Sequence, residues 1–280
     1  MPVSDSLAVA GRLYYWRPTV ALSRAFMLEE YARAGLRLER PIIDLGCGDS
    51  RFALALRERG VLHELDAGLD YDMDGLRATA LRPRLGVVRG DLTALPFPDA
   101  SFGSLLCNTV LSSFVSSRPN GLATAIAEMA RILRPGGRAV FIVGTPSFTR
   151  NLAAYQVLST LRLQDRAERY AVWVNRRNSH TVLLTEPEWV GLIEQAGLAV
   201  LQRRYLMTGR DARLLSWAAP VRGTDLPRRL GLPGARLQGT AQARLLAALL
   251  GRRFIHEVSR APEERRKDAG FLFLVCSKPG

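Results

Sequence analysis

The sequence predicts an α/β protein: a doubly wound, mostly parallel sheet of seven strands with helical cap insertions. Three observations predict it. Short β-branched apolar runs alternate with helical stretches from residue 41 to residue 144, a rhythm that lays parallel strands under helices on both faces. The first run, Pro41-Ile42-Ile43-Asp44-Leu45, breaks into Gly46-Cys47-Gly48 and a helix rich in Ala and Leu, so a tight turn joins a strand to a helix N-terminus. Two later apolar runs, at 199–206 and 271–276, bring the strand count to seven.

Composition sets the bounds. A chain of 280 residues, 48% hydrophobic and 23% charged, suits one large α/β domain with insertions and has enough apolar surface for a sizeable core. The net charge of +13 is uneven: residues 1–140 carry 17 Lys+Arg against 15 Asp+Glu, and residues 141–280 carry 22 against 11. Only Lys267 and Lys278 are lysines. Such an arginine excess is either a solvated surface or an attraction to an anionic partner: a phosphorylated substrate, a membrane surface or nucleic acid. Cys47, Cys107 and Cys276 lie in or beside apolar runs without C-x-x-C spacing, so buried free thiols in a reducing cytoplasm are expected, with no metal site. The N-terminal residues lack a basic-then-apolar leader, and no run reaches the roughly 18 apolar residues of a spanning helix. A cytoplasmic protein is expected, at most peripheral to a membrane.

Residues 1–40 form an N-terminal helical cover. An aromatic head, Tyr14-Tyr15-Trp16-Arg17-Pro18, precedes a helix from Thr19 to Ala34 that Gly35 stops. This helix either packs on the sheet or covers a ligand, with Tyr14 or Tyr15 at the mouth. The core, 41–146, carries strands at 41–45, 66–70, 86–90, 102–108 and 138–144 and helices at 49–59, 74–82 and 119–133. Right-handed crossovers then bring the strand C-terminal ends, and any ligand, to one edge. Residues 147–184 are a cap insertion, with an amphipathic stretch from Asn151 to Leu163 and a polar, irregular one from Ala171 to His180. Thr185-Glu186-Pro187-Glu188 opens a helix with Thr as N-cap, Pro in the first turn and Glu three residues after the cap, and this core continuation runs to 207. A second insertion, 208–270, is rich in Gly, Pro and Arg, with a helix at Ala241–Glu257. Residues 271–280 hold the last core strand.

The chemistry gathers at the strand ends. Asp44 sits beside a turn in which Gly46 and Gly48 let a ligand approach the backbone, and its carboxylate can hold a backbone donor, a water or an ammonium group. Position 51 is Arg, which departs from the G-x-G-x-x-G of dinucleotide enzymes. Asp70 ends the second strand 22 residues after Gly48, where two carboxylate oxygens can accept from both hydroxyls of a ribose. Asp74 is expected to cap the next helix. Asp91 ends the third strand, and with the backbone amide of Leu92 it can read the edge of an adenine.

These segments closely resemble the class I S-adenosylmethionine-dependent methyltransferases of the small-molecule "type 11" group. The resemblance rests on Ile43-Asp44-Leu45-Gly46-Cys47-Gly48, on Asp91 to Phe102, and on Leu133-Arg134-Pro135-Gly136-Gly137-Arg138. It covers residues 40–145 and, more loosely, 185–207 and 271–277. It implies a Rossmann-like fold and S-adenosyl-L-methionine as cofactor. Asp44, Gly46 and Gly48 would line the methionine part, Asp70 the ribose, and Asp91 with Leu92 the adenine. Asn108 would face the methyl donor, and Tyr71 and Tyr15 complete the cofactor-binding set. Asp49-Ser50 stands where the family commonly has Thr-Gly.

Methyl transfer is an in-line displacement at a sulfonium carbon, so alignment supplies most of the catalysis, with a base only for a nucleophile that carries a proton. His180 in the cap is the catalytic candidate, ahead of His256 and His63. Arg176-Arg177 could clamp a carboxylate or phosphate, or stand solvated. Apolar runs flanked by arginines in both insertions suit a bulky, partly apolar small molecule or a lipid-like acceptor methylated on O, N or C, with peripheral membrane contact. Two alternatives stay open. One is an RNA methyltransferase, disfavoured because Cys107-Asn108-Thr109-Val110 is not a base-methylating motif and no RNA-binding module accompanies the charge. The other is a non-catalytic, cofactor-binding regulatory subunit.

Overall fold

All four residues of β1 (Ile42–Leu45) are buried, as suits a strand paired on both edges and covered on both faces. The computed structural model describes residues 4–14, 18–79, 86–116, 119–212, 251–260, 264–265 and 268–280. Around β1 lie β2 (Ala67–Asp70), β3 (Gly86–Arg89), β4 (Phe102–Asn108), β5 (Leu133–Gly144), β6 (Ala199–Leu206) and β7 (Phe271–Ser277). They form one seven-stranded sheet in the order β3-β2-β1-β4-β5-β7-β6. The first five strands are parallel, and β7 inserts antiparallel between β5 and β6. The expected α/β class and mostly parallel sheet are thus what forms. β5 starts at Leu133 instead of 138, because Leu133 pairs with Phe102 ahead of an irregularity that the Pro135-Gly136-Gly137 segment accommodates.

Two apolar layers sandwich the sheet. One contains Leu22, Phe26, Leu28 and Tyr31 with Phe52, Leu56, Val140 and Phe273, and the other contains Ile126 and Met129 with Phe141, Trp189 and Leu274. The N-terminal segment differs from expectation: it is two helices, α1 (Ser4–Leu13) and α2 (Pro18–Arg33). Pro18 suits a helix start, where its missing N–H costs nothing, and it separates the two. Nearly every residue of α2 from Ala21 to Tyr31 is buried. Its hydrophobic stripe belongs to the main core.

Helix α3 (Arg51–Glu58) begins two residues later than the pattern predicts, because Ser50 holds a left-handed backbone (φ 57°). Asp72 caps α4 (Met73–Arg77), not Asp74: the Asp72 carboxylate accepts the amides of Asp74 and Gly75 at 3.1 and 3.3 Å. Asp72 is extended, as an N-cap must be, whereas Asp74 already lies in the first turn. After β4 a 3₁₀ turn spans Leu111–Ser113, and α5 (Gly121–Ile132) returns the chain to β5.

Residues 147–184, expected as a cap insertion, are more regular than their polarity suggests. They form α6 (Ser147–Arg150), α7 (Ala153–Thr160) and α8 (Gln164–Arg177). The polar stretch from Ala171 is helical to Arg177 because Ala167, Ala171 and Val174 recur on one face and are buried, leaving the arginines on the other. Helix α9 (Glu186–Gln195) starts with the expected capping box, Glu188 accepting the Thr185 amide at 2.7 Å. Of the second insertion, residues 251–258 are helical; most of the helix expected at Ala241–Glu257 lies outside the described residues. All three cysteines are free and buried.

Candidate functional site at the strand ends

The strand order brings the acids together. Asp91, Asp70, Asp44 and Asn108 lie at or within two residues of the C-terminal ends of β3, β2, β1 and β4, which are neighbours in that order and parallel. At about 4.8 Å per strand spacing, these four ends span about 14 Å of one sheet edge. That is the reach of an extended nucleoside with an amino-acid tail.

The β1–α3 loop is pinned by backbone bonds. The amides of Gly46 and Cys47 donate to the Leu69 carbonyl at 2.7 and 3.1 Å, and the Gly48 amide donates to Asp70 Oδ2 at 2.8 Å. The other Asp70 oxygen accepts the Asp72 amide at 2.9 Å. Each oxygen keeps a lone pair for an outside donor. Gly46 has φ 75° and passes so near Val110 that a Cβ would lie 2.1 Å from a Val110 methyl, so glycine is required there on both counts. A Cβ on Gly48 would meet nothing within 4 Å, which leaves open space above the turn.

Asp44 and Asn108 form the buried end of the edge. Burial, offset in part by the nearby Arg24 guanidinium and reinforced by Asp70, pushes the Asp44 carboxyl up to about 7. Tyr31 Oη donates to Asn108 Oδ1 at 2.7 Å and so orients the amide. The Nδ2 end of Asn108 is buried beside Asp44, and its donor there favours the charged carboxylate. Burial with help from Asp44 and Asp70 raises the Cys47 thiol to about 12, so it stays protonated and is no competing nucleophile.

Tyr31 and Arg24, both on α2, escaped the sequence reading. Tyr31 fits the apolar stripe of α2, so its polar tip gives no separate signal in the sequence. Arg24 lies over the Phe52 ring at 5.2 Å and within electrostatic reach of Asp44 and Tyr14. Tyr14 is buried, with its hydroxyl raised to about 12 by desolvation. Tyr15 lies outside the described residues. Tyr71 is 76% exposed beside Asp70, Asp91 is exposed with Oδ1 accepting the Thr93 amide at 2.8 Å, and Leu92 is buried.

His180 stands at the same edge, beyond β4. The next two residues dock on the 3₁₀ turn, Thr181 and Val182 donating to the Ser112 carbonyl at 2.8 and 3.1 Å, while Ser112 Oγ accepts the Gly144 amide. The imidazole packs edge-on against Phe148 and Phe271, with centroids 5.0 and 5.7 Å away. Desolvation lowers it to about 4, and Nδ1 is buried without a hydrogen-bond partner. The ring is therefore neutral at pH 7. His63 and His256 are exposed.

Residues 43–141 match the family model described as a methyltransferase domain. The core is a class I S-adenosylmethionine-dependent methyltransferase domain. The chain is 29% identical over 133 residues to the demethylmenaquinone methyltransferase of Deinococcus radiodurans, 46% of this chain and 53% of that one. It is 33% identical over 110 residues to the fatty-acid O-methyltransferase of Mycolicibacterium smegmatis, 38% of each chain. Among solved structures, the geranyl diphosphate C-methyltransferase of Streptomyces coelicolor superposes with a TM-score of 0.53 at 13% identity, covering 89% of this chain and 76% of that one. The chain spans about half the length, or less, of the curated relatives it matches.

The methyltransferase core has the features its cofactor requires. The space above Gly48 admits a ligand backbone, the Asp70 oxygens retain acceptor capacity, and the Asn108 amide places a buried donor beside Asp44. A cationic ammonium beside Asp44 would restore the charge that burial disfavours.

Proposed function

We propose that this chain transfers a methyl group from S-adenosyl-L-methionine to O, N or C of a bulky, partly apolar small molecule or lipid-like acceptor. The observation that carries the reading is the row Asp91–Asp70–Asp44–Asn108 along one sheet edge, ending beside the apolar wall of Phe148, His180 and Phe271. The cofactor supplies an electrophilic methyl carbon on a sulfonium. Asp91 and Leu92 hold the adenine, Asp70 and Tyr71 the ribose side, and Asp44 with the Gly46–Gly48 turn the amino-acid tail. Asn108, locked by Tyr31, sets the donor end. The aromatic wall excludes water from an acceptor, and relatives named for demethylmenaquinone, fatty acid and geranyl diphosphate support an apolar one.

His180 is the acceptor-side candidate for holding a proton. With a ring neutral down to about pH 4 it accepts a hydrogen bond from a hydroxyl nucleophile, but it is a weak base. Alignment carries most of the rate. Incubating the protein with methyl-labelled cofactor and a fractionated lipid and small-molecule extract tests the reading, with label expected in an apolar fraction. Label confined to added RNA would overturn the acceptor class, and cofactor binding without any transfer would leave a regulatory subunit.

A further inference from the structure

The α7–α8 hairpin stands apart from both main apolar layers. Its own small core is Tyr155, Ala167 and Ala171, and Tyr155 Oη donates to Glu168 at 2.7 Å. What it turns outward is unusual for a surface. Opposite Ala167, Ala171 and Val174, the outer face of α8 carries Arg166, Arg169, Trp173, Arg176 and Arg177 within about a third of a turn of the helix. Trp173 is 50% exposed, and the Arg177 guanidinium lies over its ring at 5.5 Å. At the hairpin tip Leu161 is 62% exposed, with Val157 and Leu163 exposed around it and Arg162 between the leucines. Among the described residues these arginines make no ion pair with a carboxylate. No helix among the described residues is long and apolar enough to cross a membrane.

The geometry points to the outer surface of the α7–α8 hairpin as a docking face for an anionic membrane. Charge complementarity selects this occupant: four arginines share a face with an amphipathic tryptophan that suits the headgroup level, and a tip of bare leucine and valine can enter the acyl boundary. A polar protein partner would leave the exposed leucines unsatisfied, and a nucleic acid would leave the bare leucine and valine tip without a partner. The hairpin follows α6, which begins one residue before Phe148, so docking would set the aromatic wall close to the lipid surface. The inference extends the lipid-like acceptor reading but stands on the hairpin surface alone.

Sedimentation of the full chain with phosphatidylcholine vesicles, with and without about one-third phosphatidylglycerol, tests it. Binding is expected to the anionic vesicles only, and to be lost near 0.5 M salt, where screening falls within about 4–5 Å. Each arginine near the surface strengthens attachment roughly fivefold, so the R166E/R169E/R176E variant should bind at least about a hundredfold more weakly. Trp173→Ala and L161S/L163S should each weaken binding severalfold, and affinity for S-adenosylmethionine should be unchanged in every variant. Failure to sediment with anionic vesicles at low salt overturns the inference, as does undiminished binding by the charge-reversed variant. Self-association lost on charge reversal, with no vesicle binding, would assign the face to a second copy and overturn it too. Methyl transfer is measured separately, so loss of one reading leaves the other standing.

Discussion

The two sides of the sheet solve different problems. On the β3-β2-β1-β4 side each strand end carries one polar side chain at the edge, and backbone bonds hold the loops: Gly48 to Asp70, Asp72 to Asp70, Gly46 to Leu69. On the β5-β7-β6 side the edge is built from side chains of separate segments, Phe148, His180 and Phe271, packed as rings with few hydrogen bonds. In the proposed function, a shared cofactor is read by short local motifs, whereas a particular acceptor is met by tertiary packing.

Several substitutions would sharpen or break that contrast. Asp70→Ala removes the acceptor of two backbone amides and of the ribose, and should weaken S-adenosylmethionine binding by about a hundredfold in calorimetry, from charge-assisted bonds of about 1.5–3 kcal/mol; unchanged affinity would dissolve the comparison. Gly46→Ala forces a Cβ onto Val110 at a left-handed position and should cost about 2–3 kcal/mol in denaturant unfolding.

Asp44 adds a pH signature. Its carboxyl, pushed up to about 7 when folded, binds a proton more tightly than in the unfolded chain. Its contribution therefore reduces stability as pH rises from about 4 to about 7 and is level above that, and Asp44→Asn should remove the decline. A cationic cofactor tail needs the ionised form, so affinity should rise about tenfold from pH 6 to pH 8, and this slope should vanish in the same variant. On the packed side the effects are smaller. His180→Gln should lower kcat roughly fivefold to tenfold without a new limb between pH 5 and 8, because a group titrating near 4 is already neutral there. A thousandfold loss would make His180 a base in its own right. Tyr31→Phe removes one buried bond and should cost about 1 kcal/mol, with a matching drop in cofactor affinity from a loosened Asn108.

Legibility in the sequence follows the same division. The strand-end acids and the glycine turn stood out because residue type and spacing act within one β–α unit. Asp72 was missed as a cap because its neighbour Asp74 offers the same side chain, and only backbone dihedrals distinguish them. The helical run through Ala171–Arg177 was hidden by polarity, since only two small buried residues in it, Ala171 and Val174, carry the packing. Tyr31 and Arg24 could not be tied to the site, because they reach it from a helix that precedes the first strand and nothing local marks the destination.

That helix also binds the two ends of the chain to one event. Tyr31 holds the tip of β4, and its neighbour Glu30, buried, accepts from Arg204 in β6 at 2.5 Å and from Arg265 at 2.7 Å. During synthesis α2 is made long before either arginine exists. A ribosome-bound chain stopped short of residue 265 would carry every strand-end motif and Arg204, yet leave Glu30 without the Arg265 guanidinium. Competence to bind cofactor should then appear late and abruptly as the chain emerges, and a protease cut between α2 and β1 should abolish it although no ligand-facing bond is broken.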